Sequence, residues 1–129
     1  MADLSYVNIF ARDIDALCGF YRDLFGFPEI AELRSPIFRA VDAGTCRIGF
    51  NGWAAYELLN LADQAETKGV KFMLTVEVES MERVDHLVAD AEAKGAVVIK
   101  QPYRTAYNSY QAVLFDLDGN VVRINAGLK

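Results

Sequence analysis

The sequence predicts an α+β protein built from two tandem βαβββ modules. Three observations carry this. Two stretches of alternating apolar residues each run into a cappable amphipathic helix; the two pairs superpose when Asp13 is shifted by 67 residues onto Ser80; and each half closes on a strand–turn–strand pattern. Module one is set at 1–50, a linker at 51–70 and module two at 71–129, together one domain across 1–129.

Residues 4–11, "LSYVNIFA", alternate as a half-buried strand does. Asp13 can cap the following helix, with Asp15 in its first turn, where negative charge suits the helix dipole. Leu17, Phe20, Tyr21 and Leu24 then recur at helical spacing, and Gly26 ends the run. In the second half "KFMLTVEV" at 71–78 is the strand, Ser80 the cap, and Val84, Leu87, Val88 and Ala91 the buried face before Gly95. The hairpins are "IFRAVDAGTCRIGF" at 37–50 and "QAVLFDLDGNVVRI" at 111–124, their turns marked by Asp and Gly. A further short strand is expected before each, near Glu29–Leu33 and Val97–Lys100. Within the linker, Ala54–Leu61 reads as a short amphipathic helix.

Composition narrows the function classes. The chain is 53% hydrophobic and 24% charged, enough to build a core. Its formal charge of −5 argues against nucleic acid or an anionic membrane as partner. "MADLSYVNIF" has no basic start followed by a long apolar run, no window reaches a transmembrane span, and two cysteines, Cys18 and Cys46, make no disulfide framework. A cytoplasmic protein is expected.

Two motifs tie the chain to a known family. "DIDALCGFYRDLFGF", 13–27, resembles the first helix of the vicinal oxygen chelate superfamily, the fold of glyoxalase I, extradiol dioxygenases and bleomycin-resistance proteins. "FDLDGNVVRI", 115–124, resembles that superfamily's closing hairpin, with Leu117 where proline is usual. The Asp116–Asn120 segment is therefore a turn rather than a calcium loop, which would need a carboxylate beyond its glycine; "NVVRINAGLK" offers none. The resemblance covers the whole chain. It implies curved sheets enclosing a cup-shaped cavity, and a homodimer.

The resemblance also implies where a metal would bind: inward positions on the first and last strands of each half. Carried over, these are Tyr6, Ile48, Met73 and Arg123. A phenol, an alkyl chain, a thioether and a guanidinium do not make a site for a hard divalent ion. The single histidine, His86, falls on the second helix. An alternative register runs the fourth strand through "AAYELL" and turns Glu57 inward instead of Ile48. No metal and no other cofactor is expected.

Alternation assigns the cavity faces. Tyr6, Asn8 and Phe10 come from the first strand; Cys46, Ile48 and Phe50 from the fourth; Met73, Thr75 and Glu77 from the fifth; Val121, Arg123 and Asn125 from the last. Phe38 and Trp53 are further wall candidates. "QPYRTAYNSYQ" adds Tyr103, Tyr107 and Tyr110, whose broad faces and hydroxyls suit a planar ligand. Arg123 either pairs with Glu77 or meets an oxygen of a ligand. The expected function is metal-independent binding of an aromatic or hydrophobic small molecule in a dimer cavity. The alternative is a lyase, isomerase or dioxygenase of the same superfamily, with an atypical metal site or with metal-free acid–base chemistry on Glu77 or Tyr6.

Overall fold

A computed structural model describes residues 3–65, 69–70 and 72–128. The chain divides into two compact units, Met1–Lys68 and Gly69–Lys129, each a βαβββ-like module.

In the first unit β1 (Tyr6–Phe10) leads into α1 (Ile14–Phe25), followed by β2 (Phe38–Asp42), β3 (Arg47–Asn51) and a short α2 (Ala54–Leu58). The sheet order is β1-β3-β2, with β1 parallel and β2 antiparallel to β3. Asp13 caps α1 by accepting from the Ala16 N–H at 3.0 Å, and Gly26, at φ 75°, ends it in the left-handed conformation a side chain disfavours. The apolar stripe read from the sequence lies inward: Leu17, Phe20, Tyr21 and Leu24 are all buried against β2 and β3. Cys18 lies in the same face, and burial pushes its thiol up to about 11, so it is an inert apolar filler.

The strand expected near Glu29 shrinks to one bridge with Val41, backed by Ile30 N–H donating to Ala40 and Asp42 N–H donating to Pro28. A 3-10 turn, Ala31–Leu33, then leads the chain away. The Glu29 carboxylate holds Arg34, and Arg22 at 3.4 Å, and the Arg34 guanidinium keeps its pKa below the usual carboxylate value. The expected helix over Ala54–Leu61 stops at Leu58; Asn60, at φ 60°, follows it. Glu57 is on that helix and exposed, so the register that passes the fourth strand through it does not form.

The second unit runs β4 (Met73–Glu77), α3 (Met81–Ala93), β5 (Val97–Arg104), β6 (Ser109–Phe115) and β7 (Val121–Gly127), in sheet order β4-β7-β6-β5. Ser80 caps α3 through the Arg83 N–H at 3.1 Å. Val84, Leu87, Val88 and Ala91 pack with Leu114, Val122 and Ile124 in one core between helix and sheet. His86 is exposed on α3. No described helix is long and apolar enough to cross a membrane.

Candidate functional site

Each sheet has one face packed on its helix and one turned away from it. In the second unit the latter, open face carries Met73, Thr75 and Glu77 from β4 and Val121, Arg123 and Asn125 from β7, as alternation predicts. Antiparallel pairing adds Gln111, Val113 and Phe115 from β6.

β5 adds residues that strict alternation hides. Its register with β6 slips between Val98 and Lys100 and again between Lys100 and Tyr103. Each slip inserts an extra residue and flips the side-chain parity that follows. Val97, Lys100 and Tyr103, three apart in sequence, thereby pair with Phe115, Val113 and Gln111 on the same face.

The polar groups there are mutually organised. Arg123 Nε donates to Thr75 Oγ1 at 3.2 Å. The Asn125 amide donates to both Glu77 oxygens at 3.0 and 3.1 Å. Tyr107 donates to Gln111 Oε1 at 2.9 Å, and Gln111 Nε2 donates to Tyr103 at 3.0 Å. Lys100 Nζ sits 4.0 Å from the Tyr103 ring centre. Asn125 Oδ1 is buried and has no donor among the described residues. The sequence left Arg123 with two roles, an internal partner in Glu77 or an open donor. The bond to Thr75 is neither an ion pair nor a full complement, and among the described residues no carboxylate pairs with Arg123.

Tyr110 does not belong to this face. It lies on the α3 side and donates to Asp85 Oδ1 at 2.7 Å, a bond that holds its phenol above the usual pKa. It pins helix to sheet.

In the first unit Tyr6, Asn8 and Phe10 do lie on the open face. The Tyr6 hydroxyl accepts from Arg47 Nη1 at 3.1 Å, with Phe38 beside the ring at 6.3 Å. Phe10 stacks on Tyr56 at 3.9 Å, and Trp53 meets Tyr56 edge-on and Arg12 at 5.2 Å. Asn8 Oδ1 accepts from Asn51 Nδ2 at 3.1 Å.

The fourth-strand expectation is corrected. Ile48 and Phe50 point toward α1, with Phe50 fully buried and 5.5 Å from the Tyr21 ring, while Cys46 is in the preceding loop. Arg47, Gly49 and Asn51 hold the open side instead, in register with Tyr6, Asn8 and Phe10. Gly49 is needed there: a methyl group would run into Asn8 Oδ1 and come within 2.9 Å of the Phe38 ring. Gly49→Ala is expected to lower stability by about 1–3 kcal/mol through this overpacking, measured by urea unfolding.

These side chains do not fit a divalent metal. Tyr6 already faces the Arg47 guanidinium, Gly49 has no donor atom, and Arg123 brings fixed positive charge to the second unit's open face. Among the described residues no three His, Cys, Asp or Glu side chains gather as metal ligands would.

The family model of the Glyoxalase/Bleomycin resistance protein/Dioxygenase superfamily matches residues 3–124. The chain belongs to that superfamily. A glyoxalase superfamily structure from Burkholderia phytofirmans PsJN, described as a family enzyme, is 57% identical, with a TM-score of 0.96 over 98% of this chain and 100% of that one. A hypothetical protein from S. aureus is 23% identical with a TM-score of 0.81, covering 98% and 94%. A lactoylglutathione lyase from Agrobacterium tumefaciens is 21% identical with a TM-score of 0.72, covering 98% and 95%; these two share the glyoxalase fold alone. No curated protein matches the chain.

Proposed function

We propose that this superfamily member binds a small aromatic or hydrophobic molecule without a metal, in the manner of the bleomycin-resistance proteins, as a cytoplasmic homodimer. One observation carries the reading. Where the resemblance puts a metal ligand on the last strand, the chain has Arg123, tethered by Thr75 and without a carboxylate partner among the described residues. A guanidinium there repels a metal ion and attracts a ligand oxygen. The aromatic side chains of the first unit's open face, Tyr6, Phe10 and Phe38, supply apolar contact of the kind small-molecule sites use. Leu58, Leu59, Val70 and Phe72, exposed by 72, 57, 65 and 49%, support pairing, since a second copy would cover apolar surface.

Native mass spectrometry of freshly purified protein, followed by denaturation, tests this. The expected result is a metal-free dimer, with any organic adduct released on denaturation. One divalent ion per protomer would overturn the reading. A second reading is favoured by the Burkholderia phytofirmans structure, which is described as a family enzyme. It gives proton transfer to Glu77 or Tyr6 next to a ligand carbonyl. In that case the native protein turns its ligand over and Glu77→Gln abolishes turnover; in the binding case the native protein itself returns the ligand unchanged.

A further inference from the structure

The open face of the second unit is banded. Cross-strand partners form three rows. Val97, Phe115, Val121 and Met73 make an apolar row; Lys100, Val113, Arg123 and Thr75 a cationic one; Tyr103, Gln111, Asn125 and Glu77 a hydrogen-bonding one. Neighbouring rows on β7 are two residues apart, about 7 Å at a strand's rise.

The middle row is the unusual one. Lys100 and Arg123 flank Val113 on strands two apart, so their backbones are separated by about 10 Å, within reach of two long side chains converging on one group. Among the described residues neither meets a carboxylate: Lys100 rests on the Tyr103 ring and Arg123 on Thr75. In a chain of net charge −5, two cations in one row with no carboxylate bonded to either among the described residues make that row locally positive, with Glu77 the acidic side chain of the next row.

Tyr103 adds a directed donor. Tyr107 gives its proton to Gln111, and Gln111 gives an amide proton to Tyr103. Tyr103 therefore accepts one bond, and among the described residues its own O–H has no acceptor; a hydroxyl that accepts one bond is a stronger donor in the next. Gln111 is only 4% exposed, so this orientation is held from within the sheet. At the far end Glu77, tied by Asn125, repels a second negative group.

We infer that this face seats an amphipathic ligand with one small oxyanion, a carboxylate, received by Lys100, Arg123 and the Tyr103 hydroxyl, with its apolar body along the Val97–Phe115–Val121–Met73 row. This rests on the small-molecule reading above and narrows it to monoanions.

Calorimetric titration of the full chain with 3-phenylpropionate and with its neutral amide is the test. The carboxylate is expected to bind at least tenfold tighter than the amide, and its affinity to fall with added salt. Arg123→Met and Lys100→Met should each weaken the carboxylate about tenfold, the scale of one lost charge-assisted bond, and leave the amide unchanged. Lys100 is exposed, so its variant keeps the fold even if Arg123→Met does not. Phenyl phosphate, largely a dianion near neutral pH, is expected to bind more weakly than 3-phenylpropionate; tighter phosphate binding would overturn the restriction to monoanions. Equal binding of acid and amide would overturn the inference and spare the binding reading. Failure of every probe would overturn the inference, and the native mass spectrum then decides the binding reading by itself.

Discussion

Phe50→Ala is expected to lower the free energy of unfolding by about 3–5 kcal/mol, the usual cost of truncating a buried aromatic ring. The ring has no exposed surface and packs 5.5 Å from Tyr21, with Ile9 and Val41 fully buried in the same unit. Truncation removes the transfer free energy of the ring and leaves a void beneath α1 that the surrounding side chains cannot fill without moving the helix. Against a typical total of about 5–15 kcal/mol this is a large share. Urea unfolding should show the midpoint falling with little change in slope. Phe38→Ala is the control. Its ring is on the opposite face of the same sheet, beside Tyr6, and only partly buried. It should cost well under half as much. If the two variants cost the same, Phe50 is not in the core.

That comparison isolates what the sequence could and could not convey. The two long helices, α1 and α3, are legible to the residue at their N-caps because Asp13 and Ser80 carry the capping oxygen and the apolar stripe follows at helical spacing. The open faces of β1, β4 and β7 were legible because alternation is unbroken there. Phe50 faces the helix, against the expected register, for a countable reason. Four residues, 43–46, join the β2–β3 pair between Asp42 and Arg47, whereas five, 116–120, join the β6–β7 pair between Phe115 and Val121. Aligned on their glycines, the two turns hide a different count, Thr45 and Cys46 after Gly44 against Asn120 alone after Gly119, and one residue turns a whole strand over. Gly49 takes the place across the ladder from Asn8 that Arg123 takes across from Thr75. The same effect on β5 concealed Lys100. Two register slips bring it onto the face of Tyr103, and nothing in "VVIKQPYR" announces them except Pro102, which cannot donate to a ladder. The place of Tyr110 depends on a tertiary contact that the sequence does not display: its partner, Asp85, is 25 residues away on α3.

Asp116→Ala is expected to cost about 3 kcal/mol, because it removes the acceptor of several part-buried donors at once. Asp116 is 3% exposed. Its Oδ1 accepts from the backbone N–H groups of Asp118 and Asn120, both at 2.9 Å, and the Asn120 side-chain amide bonds both of its oxygens at 3.0 and 2.9 Å. Gly119 closes the loop at φ 80°. The carboxylate adds to the backbone bonds from Asp116 N–H to Asn120 and from Gly119 N–H to Asp116, and together they fix the five-residue loop whose length sets the parity of β7. Asp116→Asn keeps one acceptor oxygen and should recover much of the loss; thermal unfolding of the three proteins gives the ranking. Calcium sharpens the test. An acidic loop that held the ion would be stabilised by millimolar calcium in the native protein and not in Asp116→Ala. Here the carboxylate oxygens are already engaged by Asn120, and no acidic side chain follows Gly119. The melting temperature of the native protein is therefore expected to be indifferent to calcium. A loosened loop that let β7 slip by one residue would turn Arg123 to the helix side. Asp116→Ala should therefore also weaken 3-phenylpropionate binding, although Asp116 is a turn residue outside the three rows of the open face.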